Sequence, residues 1–281
     1  MMASLDAYLA RKGALPHQRP MTGKTLVGQL IGASVHFGGG AFGFGQNDPT
    51  IERVGKWFKE MYGERLNSPF RSRSVVLDLR GTIWRMRLGI TFGSPTLFMD
   101  RDPTNQYSIL RCIEELTPAY AQRLTEAELD HIMAVLELGF PAIEALGGFE
   151  GNIMFNIAWL DYEHSVDALM SSIDWGKARW ETAQTAEKIM KGMLVVEGQT
   201  YPKGRDGHII PKLGRLVADH FKVSFPAGLL ETIDCKPDVR YGDEEATREE
   251  AMAAHYALLQ LLPLLFQVFY TTRPKTPRVR R

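Results

Sequence analysis

An α+β fold, in which a mixed α/β N-terminal half precedes an all-helical C-terminal half, is what these 281 residues predict. Two periodicities and one break carry that expectation. Apolar residues alternate from Val75 to Phe92, as in a β-hairpin, whereas beyond Gly151 they recur only at helical spacing. Gly147-Gly148 separates the two regimes as a hinge. The boundaries expected are 1–150 for a mixed N-terminal domain, 151–270 for a helical bundle and 271–281 for a basic tail.

Taken in order, residues 13 to 50 are rich in breakers: Pro16, Pro20, Gly38-Gly39-Gly40, Gly43, Gly45 and Pro49. They read as loop with one or two short strands. The glycine run is not a phosphate loop, since no Lys-Ser or Lys-Thr follows it and Phe37, Phe42 and Phe44 alternate through it. Ile51, Val54, Trp57, Phe58 and Met61 then mark a helix with Thr50 as its N-cap. Val75, Leu77 and Leu79, a turn at Arg80-Gly81, and Trp84, Met86, Leu88, Ile90 and Phe92 form the hairpin, each strand with one apolar face. Opposite lie Arg85 and Arg87, near Arg71, Arg73 and Arg80. Such a face could meet phosphates, although a solvated face is the simpler reading. A helix over Tyr107–Glu115 breaks at Thr117-Pro118, and Thr125-Glu126-Ala127-Glu128 opens the next, to Leu138, with a capping box. His131 falls on its surface. Four helices follow, over 153–173, 175–196, 208–221 and 246–269; Asp174 caps the second, Gly198 closes it, and Thr247-Arg248-Glu249-Glu250 starts the last.

Composition excludes several classes of function. Lys plus Arg and Asp plus Glu balance at 33 each, so no net charge concentrates the chain on nucleic acid or on an anionic membrane. Cys112 and Cys235 are the only cysteines, which gives neither a zinc spacing nor a disulfide framework and suits a reducing compartment. The first residues lack a signal-peptide pattern, and the apolar run Leu258–Tyr270 is interrupted by Gln260, Pro263 and Gln267, so a cytoplasmic protein without membrane attachment is expected. No Gly-x-Ser-x-Gly, His-Glu-x-x-His or complete Walker motif occurs. No cofactor is expected. Asp161-Tyr162-Glu163-His164 offers carboxylates and one imidazole, but without a second His at a matching offset no metal is expected either.

Within the helical half, Ala186-Glu187-Lys188 with Lys191, then Gly198, then Gly207-His208-Ile209-Ile210-Pro211-Lys212-Leu213, then Arg240-Tyr241 ahead of a Glu/Ala-rich last helix, resemble the HEPN superfamily over roughly residues 152–270. The resemblance implies a homodimer formed through the helical half that engages RNA, a nucleotide or a protein partner, in a defence or toxin–antitoxin setting. Lys188, Lys191, Arg240, Tyr241, Arg85 and Arg87 are then the candidate nucleic-acid or nucleotide contacts. Some members cleave RNA without a metal by an Arg and a following His. Arg248 and His255, seven apart and so on one helix face, are the catalytic candidates here: His255 as acid or base at the ribose 2′-hydroxyl, Arg248 stabilising the phosphorane. Glu249 and Glu250 would repel phosphate beside them, and Arg240-Tyr241 already matches the non-nuclease pattern, so a non-catalytic binding or assembly role competes with the endoribonuclease.

Overall fold

Local chemistry of the turns and caps fixes where most elements begin. In the computed structural model, which describes residues 2–12, 14, 19–35, 48–63, 74–88, 98–105 and 108–271, the chain divides into two compact units, Met1–Arg71 and Ser72–Arg281. The Gly38–Gly40 run with its phenylalanines, Arg71, Arg73, Ile90, Phe92, Tyr107, the tail beyond Thr271 and the side chain of Tyr241 lie outside the described residues.

The first unit holds three helices, α1 (Met2–Arg11), α2 (Arg19–Ile31) and α3 (Pro49–Tyr62), around Leu9, Val27, Ile51, Val54 and Phe58. The loop expected before residue 50 is therefore in part a helix. Pro20 falls in the first turn of α2, where its missing N–H costs nothing. Gly23 lets α2 approach α3 closely: a Cβ there would lie 3.1 Å from the Phe58 ring and 3.3 Å from Val54. The cap of α3 is Asp48, whose Oδ1 accepts from Thr50 N–H at 2.7 Å, in place of Thr50 itself. A knot of polar groups ties the helices together, with Arg19 and Tyr62 both donating to the Asp6 carboxylate at 3.0 and 2.6 Å.

The second unit opens with the hairpin, β1 (Ser74–Leu79) antiparallel to β2 (Thr82–Arg87), in register from Ser74↔Arg87 to Leu79↔Thr82. Arg80 and Gly81 turn it with φ of 54° and 79°, the two left-handed residues that match strand twist in a tight hairpin. β1 departs from the expected single apolar face. Val75, Val76, Leu77 and Leu79 are all buried, because helices cover both of its sides.

A 3-10 turn (Ile109–Cys112) replaces the expected helix there, and a single turn, α4 (Pro118–Ala121), precedes α5 (Glu126–Gly148). The capping box of Thr125 and Glu128 forms as expected, but α5 runs on through Pro141 to Gly148. Ala142, Ile143, Ala145 and Leu146 are buried beyond that proline, and their packing outweighs one lost backbone bond. α6 (Ile153–Ser171) and α7 (Trp175–Val196) form a hairpin of helices capped by Asn152 and Asp174. A 3-10 turn (Gly204–His208) leads to α8 (Ile210–Phe221), followed by two short helices, α9 (Leu229–Ile233) and α10 (Pro237–Tyr241), and by α11 (Arg248–Thr271). Thr247 and Glu250 exchange backbone-to-side-chain bonds at 3.2 and 2.9 Å ahead of α11.

The fold is α+β, as predicted: one two-stranded antiparallel sheet and an otherwise helical chain among the described residues. The domain boundary differs. α11 packs on α5 and α7, α5 packs on β1, and one continuous core runs from Val75 to Phe269, so Gly151 lies inside a unit and not between two. α11 is long and apolar enough to span a membrane by length and composition, and is the one such helix among the described residues. Its apolar side chains, from Ala251 to Phe269, are spent in this core.

Candidate functional site

Arg248 and His255 do lie on one side of α11, and both are engaged by β1. Arg248 Nη2 pairs with Asp78 Oδ2 at 2.6 Å, while Asp78 Oδ1 accepts from Gly81 N–H in the hairpin turn. His255 is fully buried. Its Nε2 accepts the Val76 N–H at 3.4 Å, and its ring stacks on Tyr162, whose hydroxyl donates to Ser74 carbonyl oxygen at 2.8 Å. A backbone donor and an acceptor at the outer side of β1 are thus satisfied from two helices, which a buried strand requires. Nε2 as acceptor puts the proton on Nδ1, which has no hydrogen-bond partner among the described residues. Burial pushes the His255 pKa down to about 3. A neutral imidazole sealed from solvent and spent on a strand amide cannot reach a ribose hydroxyl, and this geometry speaks against catalysis by Arg248 and His255.

The candidate phosphate contacts are likewise committed. Arg85 reaches Asp167 at 2.6 Å and Glu114 at 3.9 Å, and Arg87 pairs with Glu114. The basic strand face is therefore neutralised by acids from the segment after the 3-10 turn and from α6. Arg240 lies 5.3 Å over the Trp180 ring, beside a cleft of about 380 Å³ at the start of α7. Asp174, Glu244 and Glu245 line that cleft too, and three carboxylates oppose an anion there. Tyr241 is the last residue of α10.

Lys188 and Lys191 belong to a buried polar chain along the α6–α7 interface. Lys188 pairs with Asp161 and donates to Gln184 at 3.1 Å; Gln184 donates to Glu187 at 3.0 Å. Glu187, itself buried, accepts from Lys191 at 2.7 Å and meets His208 Nδ1 at 2.9 Å. Lys191 also lies 5.0 Å over the Tyr201 ring. Gly207 closes this corner: a Cβ there would lie 3.7 Å from Lys191 Nζ and collide with the Pro202 carbonyl. Glu187, Lys191, Gly207 and His208, four of the residues that carry the resemblance in sequence, thus converge in space on one ion cluster that anchors the loop after α7.

At the other end of the chain of polar groups sit Asp161 and His164 from α6 and Glu181 from α7, with donor atoms all within 4.8 Å of one another. Burial raises the Asp161 pKa against the opposing Lys188 bond, and burial together with Asp161 raises that of Glu181. Glu181 escapes a reading along the sequence, because its partners are on another helix. A signal does exist: Glu181, Gln184 and Lys188 repeat at three and four residues, a polar stripe on a helix otherwise buried through Ala183, Ala186, Ile189 and Met190. No family model matches the chain, and no curated protein or solved structure is significantly similar to it.

Proposed function

We propose that the helical unit is a non-catalytic, HEPN-like assembly module that pairs with a second copy of itself through α6. The observation that carries this reading is an apolar ridge. Ile153, Ile157 and Leu160 follow at spacings of four and three on one face of α6, and stay 67%, 37% and 51% exposed. Scattered exposed apolar residues need no explanation, but three in one stripe on a rigid helix are a recognition surface. A stripe of this kind is self-complementary about a two-fold axis, the usual geometry of homodimers. Two further features favour pairing over chemistry or phosphate binding: His255 is sealed in the core, and Lys188, Lys191, Arg85, Arg87 and Arg248 each face a carboxylate.

Sedimentation equilibrium tests the reading. The wild type is expected at about twice the 31.6 kDa chain mass, and Ile157→Glu with Leu160→Glu at the monomer mass with unchanged circular dichroism. A wild type that stays monomeric at tens of micromolar sinks it. Incubation with RNA in EDTA is expected to give no cleavage; cleavage lost in His255→Ala would restore the ribonuclease reading instead.

A further inference from the structure

The Asp161, His164 and Glu181 cluster has features that pairing through α6 does not use. Asp161 and His164 are three apart on α6, so their side chains project from one helix face, and Glu181 reaches them from the facing helix α7. A carboxylate and an imidazole at i and i+3, completed by a carboxylate from a neighbouring helix, is the way helical bundles build metal sites. Both helices are long, of 19 and 22 residues, and are packed against each other along their length. Ligands on such elements are held more precisely than ligands on loops.

Bonding fits a cation as well. Two carboxylates that repel one another meet here, with the Lys188 ammonium paired to Asp161 and the Arg240 guanidinium also acting on Glu181. Lys188 binds a single oxygen of Asp161, Oδ2, so the other remains a donor while the bonded one is held in place, the support that metal carboxylates ordinarily have. Asp161 is buried, Glu181 half-buried and His164 exposed, which gives an ion an entry path from solvent. Donor separations within 4.8 Å close onto one ion with small rotations of the Glu181 and His164 side chains.

We infer that Asp161, His164 and Glu181 form a binding site for a divalent first-row transition-metal ion, bridging α6 and α7. One nitrogen and two oxygen donors suit Mn²⁺, Fe²⁺, Co²⁺ or Zn²⁺ better than Ca²⁺ or Mg²⁺, which favour all-oxygen sites. Three protein ligands leave coordination positions toward solvent for water. This inference does not rest on pairing through α6.

The test uses the untagged full chain, stripped with a chelator and titrated with Co²⁺ followed by visible absorption and with Mn²⁺ followed by electron paramagnetic resonance. One equivalent per chain is expected, together with a rise in melting temperature, because an ion that binds only the folded chain stabilises it. His164→Ala and Glu181→Gln are each expected to weaken binding at least about tenfold, while His220→Ala, in α8, leaves it unchanged. Asp161 is left intact because its loss would strand Lys188. Circular dichroism of each variant verifies the fold. Absence of stoichiometric binding by the wild type, or binding that survives either substitution, overturns the assignment.

Discussion

His255 shows how one side chain can carry opposite meanings in sequence and in space. Seven residues after an arginine it has the spacing of a catalytic pair; in the folded chain it is the acceptor for the Val76 amide. The linkage to pH follows from its lowered pKa. The unfolded chain binds a proton near the ordinary value of 6.5 while the folded chain resists down to about 3. The contribution to stability is therefore complete above 6.5 and is lost as pH falls from there toward 3, by up to about 1.4 kcal/mol per pH unit. We expect His255→Gln, which retains an acceptor but does not titrate, to flatten the fall in melting temperature between pH 6 and about 4 relative to wild type; calorimetry across that range checks it, and parallel curves would show that the imidazole is not responsible. Nothing in the local sequence distinguishes a buried acceptor from a general base, because the deciding partner, Val76, is 179 positions away.

At the scale of elements, the features that depend on neighbours within one turn were readable. Asp174 caps α7, Thr125 and Glu128 form their box, and Arg80-Gly81 makes the hairpin turn. What escaped depends on packing. Pro141 ends a helix by local rules but is carried inside α5 by the buried residues beyond it. α2 is a helix despite Pro20, Gly23 and Gly28, since those glycines are where neighbouring groups come close. The same logic makes Gly192 of α7 sensitive. A Cβ there would lie 2.5 Å from Phe155 Cε1, and Phe155 is itself wedged between Phe149 and Phe269, at centroid distances of 5.1 and 5.7 Å. Gly192→Ala gains helix propensity yet should destabilise the chain by about 1–3 kcal/mol through overpacking. Urea unfolding measures this, and a stabilised variant would mean that the aromatic cluster yields.

For the molecule as a whole, the fold class was legible and the division of the chain was not. Gly147-Gly148 has the composition of a linker, yet Gly148 lies against Phe266, and the helices on either side of it share one core. A fragment of residues 72–281 is therefore expected to unfold cooperatively on heating, whereas residues 151–270 alone, deprived of α5 and the hairpin, should give no cooperative transition by circular dichroism. A cooperative transition in the shorter fragment would restore the boundary at Gly151. The hairpin placed at the centre of this unit has one more consequence. A two-stranded sheet usually offers its outer amides and carbonyls to any extended chain that arrives, whether a peptide ligand or an unfolded neighbour. Here Tyr162 and His255 occupy that row on β1, and Glu114 N–H donates to the Arg85 carbonyl at 2.8 Å on β2. With Ser74, Val76 and Arg85 already bonded from outside the sheet, strand addition by an extended ligand, or edge-to-edge pairing with an unfolded neighbour, would first have to displace these contacts.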